Sequence, residues 1–242
     1  RRAPVFIGGL AILMACFDAL AIDELLISPY ALREGLLHDL LGRLEHRDPR
    51  AKAVDALMAR FAVDPMQVER VKSTALGLFD QVSIGLRNAL DVREILGWAV
   101  DLHEIGLALS HPGYQQHSAY LVEASDMAGF TRQEQLFLAS LVRFQRRDIP
   151  ANFAAILPSR LGGPLCTALI CMRLAWIFCR TREDDAIPAA SIELDDRSAR
   201  LVLEQDWMDE HPLTVADLEY EKKALRAIGM KLDIEHPKRE SA

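Results

Sequence analysis

The sequence predicts a mainly α-helical protein, with an α/β piece ahead of the helices and a small α+β module after them. Three observations carry this. Apolar residues recur at helical spacing almost without a break from Arg50 to Arg180. Residues 1–46 read as helix, strand, helix. At Thr181 the chain changes character, and a polar stretch leads into two short strand-like runs. Half of the 242 residues are hydrophobic, which is enough for a sizeable core. The net charge of -7 and a pI near 5.5 disfavour general nucleic-acid binding, so no nucleic-acid partner is expected.

The elements follow in order. Residues 8–21 are apolar on every side and read as a buried helix. Glu24 to Ile27 reads as a strand, and Ser28-Pro29 opens a helix that runs to about His46. Residues 50–61 are amphipathic, and Asp64-Pro65 starts a long helix over 65–82. Helices are predicted at about 89–109, 114–125, 131–145 and 164–180. The third of these four opens at Thr131 with Glu134 three residues on, the pattern of a capping box. Two strands, 191–194 and 198–203, flank the turn signal at Asp195-Asp196-Arg197. A turn at 207–211, an amphipathic helix at 213–228 and a last strand at 232–234 complete the module. The division expected is 1–46, 47–180 and 181–242.

Cys16, Cys166, Cys171 and Cys179 form no C-x-x-C pair and read as reduced, buried small residues. No run reaches the ~18 uninterrupted apolar residues of a membrane helix. Acidic residues interrupt the N-terminal apolar run, which therefore is not read as a signal peptide. A cytoplasmic protein is expected, with peripheral membrane attachment left open.

The residues that could carry chemistry concentrate between Leu102 and Arg147. Three of the seven histidines lie there: His103, His111 and His117. His-Asp metal hydrolases place an early His, a His-Asp pair and a late Asp on a helical scaffold, where they hold metal and activate water. Here the pair is His103-Glu104, the early position is Gln67, and the late one is Trp176. Gln and Trp are poor ligands, so the site reads as degenerate and no metal is assigned to it. A literal pair, His38-Asp39, lies outside the helical bundle and reads as an exposed helix face. Arg143, Arg146 and Arg147, at i, i+3 and i+4, read as one basic face at a helix end. With His111 and His117 they form a candidate site for a polyphosphate-like anion, held by bidentate contacts.

Three blocks resemble the C-terminal half of exopolyphosphatases of the Ppx/GppA family: GLAILMACFDAL from Gly9, SPYALREGLL from Ser28, and the block from Leu102 to Arg147. The resemblance covers essentially the whole chain. It departs where Pro29-Tyr30 replace Asp-Gly and where Gln145 replaces a His. It implies an HD-like helical bundle preceded by the tail of an RNase H-like (actin-like ATPase) domain. In the longer members the N-terminal domains hold the catalytic glutamate, the phosphate loops and Mg²⁺. The present segment then carries no catalytic residue, binds no cofactor itself, and is expected to be inactive alone. The resemblance further implies a polyanion channel and part of a homodimer contact. Arg33 and Glu34 would brace the domain junction. The expected ligand is inorganic polyphosphate, with a guanosine pentaphosphate-type, (p)ppGpp-like anion as the alternative. A dimerisation module with no ligand of its own, and a metal phosphohydrolase, are the remaining readings.

Overall fold

The computed structural model describes residues 3–22, 48–82, 92–184, 187–195 and 197–236. The strand at 24–27, the helix opened by Ser28-Pro29, Arg33, Glu34 and His38-Asp39 lie outside the described residues. The chain divides into two compact units, Arg1–His46 and Arg47–Ala242.

In the first unit, α1 (Ala3–Leu20) is an 18-residue helix. Its apolar side chains were expected to be buried. Instead Phe6, Ile7, Leu10, Ile12, Leu13, Met14 and Leu20 are exposed, and so is Cys16. A unit of this size cannot surround a helix that is apolar on every side.

The second unit contains α2 (Pro49–Arg60), α3 (Pro65–Val82), α4 (Val92–Asp101), a 3₁₀ turn (Ile105–Ala108), α5 (Tyr114–Ala124), α6 (Arg132–Phe144) and α7 (Gly162–Phe178). The starts of these helices follow local chemistry. Asp64 accepts from the amides of Met66 (3.0 Å) and Gln67 (3.3 Å) at the head of α3. At α6 the capping box is complete: Glu134 N donates to Thr131 Oγ1 (3.2 Å) and Thr131 N donates to Glu134 Oε2 (2.7 Å). The other carboxylate oxygen of Glu134 takes the buried Arg50 (2.8 Å). Arg50 also pairs with Asp48 (2.6 Å) and Glu94 (2.9 Å) and lies 4.5 Å from the centre of the Trp98 ring. One guanidinium thus ties together the starts of α2, α4 and α6. Gly129, with φ +83°, lets the chain pass this knot, since a Cβ there would lie 2.7 Å from Pro49 Cγ.

The helix expected over 89–109 ends early, at Asp101. The next residues form turns because Gly106 presses against α5, where any Cβ would collide with the Tyr114 carbonyl and the Ser118 amide. Gly106 N donates to Ser118 Oγ (2.8 Å), which donates in turn to His103 O (3.0 Å).

Helix α7 packs against α3, α4 and α6. Leu165, Leu169, Met172, Leu174 and Ala175 have no exposed surface. Among the described residues one helix, Ser159–Phe178, is long and apolar enough to cross a membrane, but 72% of it is buried by protein, as befits a core helix.

The strands β1 (Ala190–Leu194), β2 (Ser198–Leu203) and β3 (Lys231–Glu235) form a sheet in the order β1-β2-β3. The hairpin is antiparallel with Ile192 opposite Leu201, and β3 runs parallel to β2 with Leu201 opposite Ile234. The crossover carries α8 (Gln205–Glu210) and α9 (Pro212–Arg226). The turn expected at 207–211 is therefore mostly helical. Helix α9 lies against α7 and brings its acidic side chains to the bundle.

Candidate functional site

The four positions that would make a metal site are each held by a different partner. His103 sits in the turn after α4 with no exposed surface. Its Nδ1 lies 2.6 Å from Val100 O. A carbonyl only accepts, so Nδ1 carries the proton and Nε2 is a bare acceptor, without a hydrogen-bond partner among the described residues. Burial pushes the imidazole below its usual pKa and keeps it neutral. Glu104 is clamped by Arg182, whose Nη2 meets both carboxylate oxygens at 2.7 and 2.8 Å. The Nη1 of Arg182 reaches Asp64 at 2.9 Å. The Asp64 carboxyl is held below its usual range, chiefly by the Gln67 amide and then by that of Met66. Arg182 keeps this position at φ +63°. Gln67 is buried and donates through Nε2 to Cys179 O (2.8 Å). Trp176 donates through Nε1 to Tyr114 Oη (3.0 Å).

This donor set does not fit a metal ion. The Glu104 carboxylate is already neutralised by a guanidinium, and Gln67 and Trp176 turn N–H groups outward to other acceptors. Among the described residues no group of three or more His, Cys, Asp or Glu converges on a point.

The basic cluster is divided by the end of α6. The helix stops at Phe144, so Arg143, Arg146 and Arg147 do not share a helix face. Gln145 turns the chain by donating to His103 O (2.8 Å) and Val142 O (3.0 Å), and Arg147 takes φ +66°. Arg143 stays on the helix, bound to Glu123 (2.8 Å) and Gln116 (3.0 Å). His111 is exposed, 6.3 Å from the Tyr114 ring, and His117 is half-buried on α5.

Arg146 and Arg147 turn instead into a cleft of about 300 Å³ between α7, the end of α6 and α9. Arg143, His111 and His117 do not line it. The guanidinium of Arg146 lies 5.0 Å from the Tyr114 ring centre and 4.8 Å from that of Trp176. Two aromatic faces hold its plane, which lowers the entropy lost when its edge meets a ligand. Burial, the largest influence, pushes the Tyr114 hydroxyl above its usual pKa, so it stays neutral.

Sequence reasoning missed two further arginines in the cleft, Arg173 and Arg180. Arg173 is 2% exposed. It bonds Glu221 in bidentate fashion (2.6 and 2.7 Å), Phe144 O (2.5 Å) and Arg147 O (2.8 Å). A single arginine inside an apolar helix was the signal available, because such a cation must find partners. Arg180, beyond the end of α7, pairs with Asp217 at 3.0 Å. Tyr220 donates to Asp148 (3.1 Å), whose carboxylate raises the phenol pKa. The cleft thus gathers Arg146, Arg147, Arg173 and Arg180 against Asp217 and Glu221, with positive charge in excess. Its chemistry is that of a small anion receptor: planar N–H donors, a fixed guanidinium and a half-open mouth.

Comparison with known proteins places the chain in a family. The description "Ppx/GppA phosphatase, domain III" matches residues 50–222, and "Ppx/GppA phosphatase family" matches residues 1–44. The chain belongs to the Ppx/GppA phosphatase family. It is 34% identical over 233 residues to a guanosine-5'-triphosphate,3'-diphosphate pyrophosphatase of Pseudoalteromonas translucida, covering 96% of this chain and 46% of that protein. A protein of the same description from Aeromonas hydrophila is 34% identical over 230 residues, covering 95% and 46%. One from Aeromonas salmonicida is 32% identical over 230 residues, with the same coverage. The chain therefore spans about half the length of the curated relatives it matches. The family description for domain III covers the bundle and most of α9, so the walls of the cleft fall inside it.

Proposed function

We propose that this chain is the anion-holding part of a phosphoanhydride hydrolase that acts on a guanosine pentaphosphate-type substrate. The arginine cleft between α7 and α9 carries the reading. The sequence put inorganic polyphosphate first and guanosine pentaphosphate second. The relatives reverse that order, since those matched are described as guanosine-5'-triphosphate,3'-diphosphate pyrophosphatases. The cleft suits both, because both present phosphate oxygens to guanidinium groups.

On this reading, residues 1–46 close an RNase H-like domain, 47–180 form an HD-like bundle, and 181–242 form the module that supplies one wall of the cleft. Water attacks a phosphoryl group held by other parts of the protein, where Mg²⁺ would neutralise charge. In such reactions positioning and charge stabilisation do most of the work. Arg146 and Arg147 hold the phosphate chain away from the reacting bond. The exposed apolar surface of α1 supports placing this helix inside a larger domain. Homodimer formation belongs to the same reading.

Calorimetric titration of the 242-residue chain with guanosine 5'-triphosphate 3'-diphosphate, and in parallel with tripolyphosphate, tests it. Both anions are expected to bind, to weaken as salt rises, and to weaken about tenfold in Arg146→Ala. The chain alone should release no phosphate. Failure of both anions to bind at low salt would contradict the reading.

A further inference from the structure

Two carboxylates on one face of α9 reach the cleft, and each meets an arginine. Glu221 meets Arg173, and the pair is 4% and 2% exposed, closed by two short hydrogen bonds and by two carbonyls on the far side of the guanidinium. Asp217 meets Arg180 at 3.0 Å, but these side chains are 33% and 41% exposed. The paired oxygen, Asp217 Oδ2, lies beside the cation without an aligned N–H. The first contact is part of the core. The second is part-exposed, its Asp217 Oδ2 is tucked in without a hydrogen bond, and both residues line the cleft.

We propose that Asp217 is a built-in competitor for the cleft. A phosphate group entering beside Arg146 and Arg147 takes Arg180 from Asp217, while Arg173–Glu221 stays closed and keeps α9 attached. This rests on the anion-holding role proposed above. A phosphate group brings more charge than one carboxylate and can accept two parallel N–H bonds from the guanidinium, whereas Asp217 makes one poorly aligned contact. Part-exposed ion pairs that lack an aligned hydrogen bond are weak and easily exchanged. Linkage makes the effect reciprocal: an anion that displaces Asp217 loosens the first half of α9, and anything that tightens that half weakens the anion. The ligand selected is a multiply charged phosphate chain long enough to reach Arg180 as well as Arg146 and Arg147.

The test is tripolyphosphate affinity for the 242-residue chain and for Asp217→Asn, Arg180→Ala and the double variant, with thermal unfolding to confirm that each is folded. Asp217→Asn should bind about two- to fivefold tighter, and the gain should vanish when Arg180 is also removed. Tripolyphosphate should speed amide hydrogen exchange around Asp217 and leave it unchanged around Glu221. If the wild type binds and Asp217→Asn binds equally or more weakly, Asp217 is no competitor. A gain that persists without Arg180 reflects net charge alone and also overturns the proposal. If no variant binds tripolyphosphate, the anion-holding role fails with it.

Discussion

Two charged junctions on the same bundle use the same residue types to opposite ends. At the head of α3, Arg182 binds Glu104 with two hydrogen bonds and Asp64 with a third, so one guanidinium faces two carboxylates. In the cleft, four arginines face two carboxylates, and one of the four is stacked between aromatic rings. The first junction closes on itself, and the second has positive charge to offer. Residue type does not separate them. What separates them is how many carboxylates stand against each set of cations: two for the single Arg182, and two for the four arginines of the cleft. The same rule divides the three arginines of the expected cluster. Arg143 is bound to its own bundle, whereas Arg146 and Arg147 face the cleft.

Breaking the core end of the cleft should have the largest effect. Arg173→Met leaves Glu221 buried without its partner, and denaturant unfolding should show a loss of about 3–5 kcal/mol. Adding Glu221→Leu should recover much of it, since a buried pair replaced by apolar groups is often near neutral. A single-variant loss below 1 kcal/mol would mean that Arg173 does not hold α9.

Acid should act next, at the closed junction. His103 is neutral in the fold because burial lowers its pKa, while in the unfolded chain it titrates near its usual 6.5. Below that pH the unfolded state binds a proton that the folded state does not. Stability should therefore be flat above about pH 6.5 and fall below it, by at most about 1.4 kcal/mol per pH unit for one group. Urea midpoints between about pH 7 and 5.5 should show that slope in the wild type and lose it in His103→Gln. An unchanged slope would assign it elsewhere.

The smallest effect should come from Arg182→Ala. Its side chain is 41% exposed, so loss of the clamp should cost only about 1 kcal/mol. Arg182→Gly should cost less than Ala, because φ +63° suits glycine.

Much of the fold was legible because its signals are local. Asp64-Pro65, Thr131 with Glu134, and the apolar spacing along 65–82 each place an element within a residue or two. The hairpin followed from a turn signal between two short runs. What was not legible depends on distant partners. The end of α4 is set by the fit of Gly106 against α5, and the end of α6 by Gln145 reaching back to His103 O, 42 residues away. The site suffered most for the same reason. Arg173 and Glu221 are 48 residues apart, and no local pattern joins them. The sequence singled out two of the arginines that line the cleft, Arg146 and Arg147. It grouped them with Arg143, His111 and His117, which the fold directs elsewhere.

On the proposed reading, anions bind where arginines outnumber carboxylates, not wherever arginines are found. Two double variants that remove equal charge test it directly, with tripolyphosphate affinity as the readout. Arg146→Ala with Arg180→Ala should weaken binding by about tenfold or more, and Arg143→Ala with Arg182→Ala should change it by no more than about twofold. Equal losses in the two would show that only net charge matters, and a larger loss in the second pair would place the anion site outside the cleft.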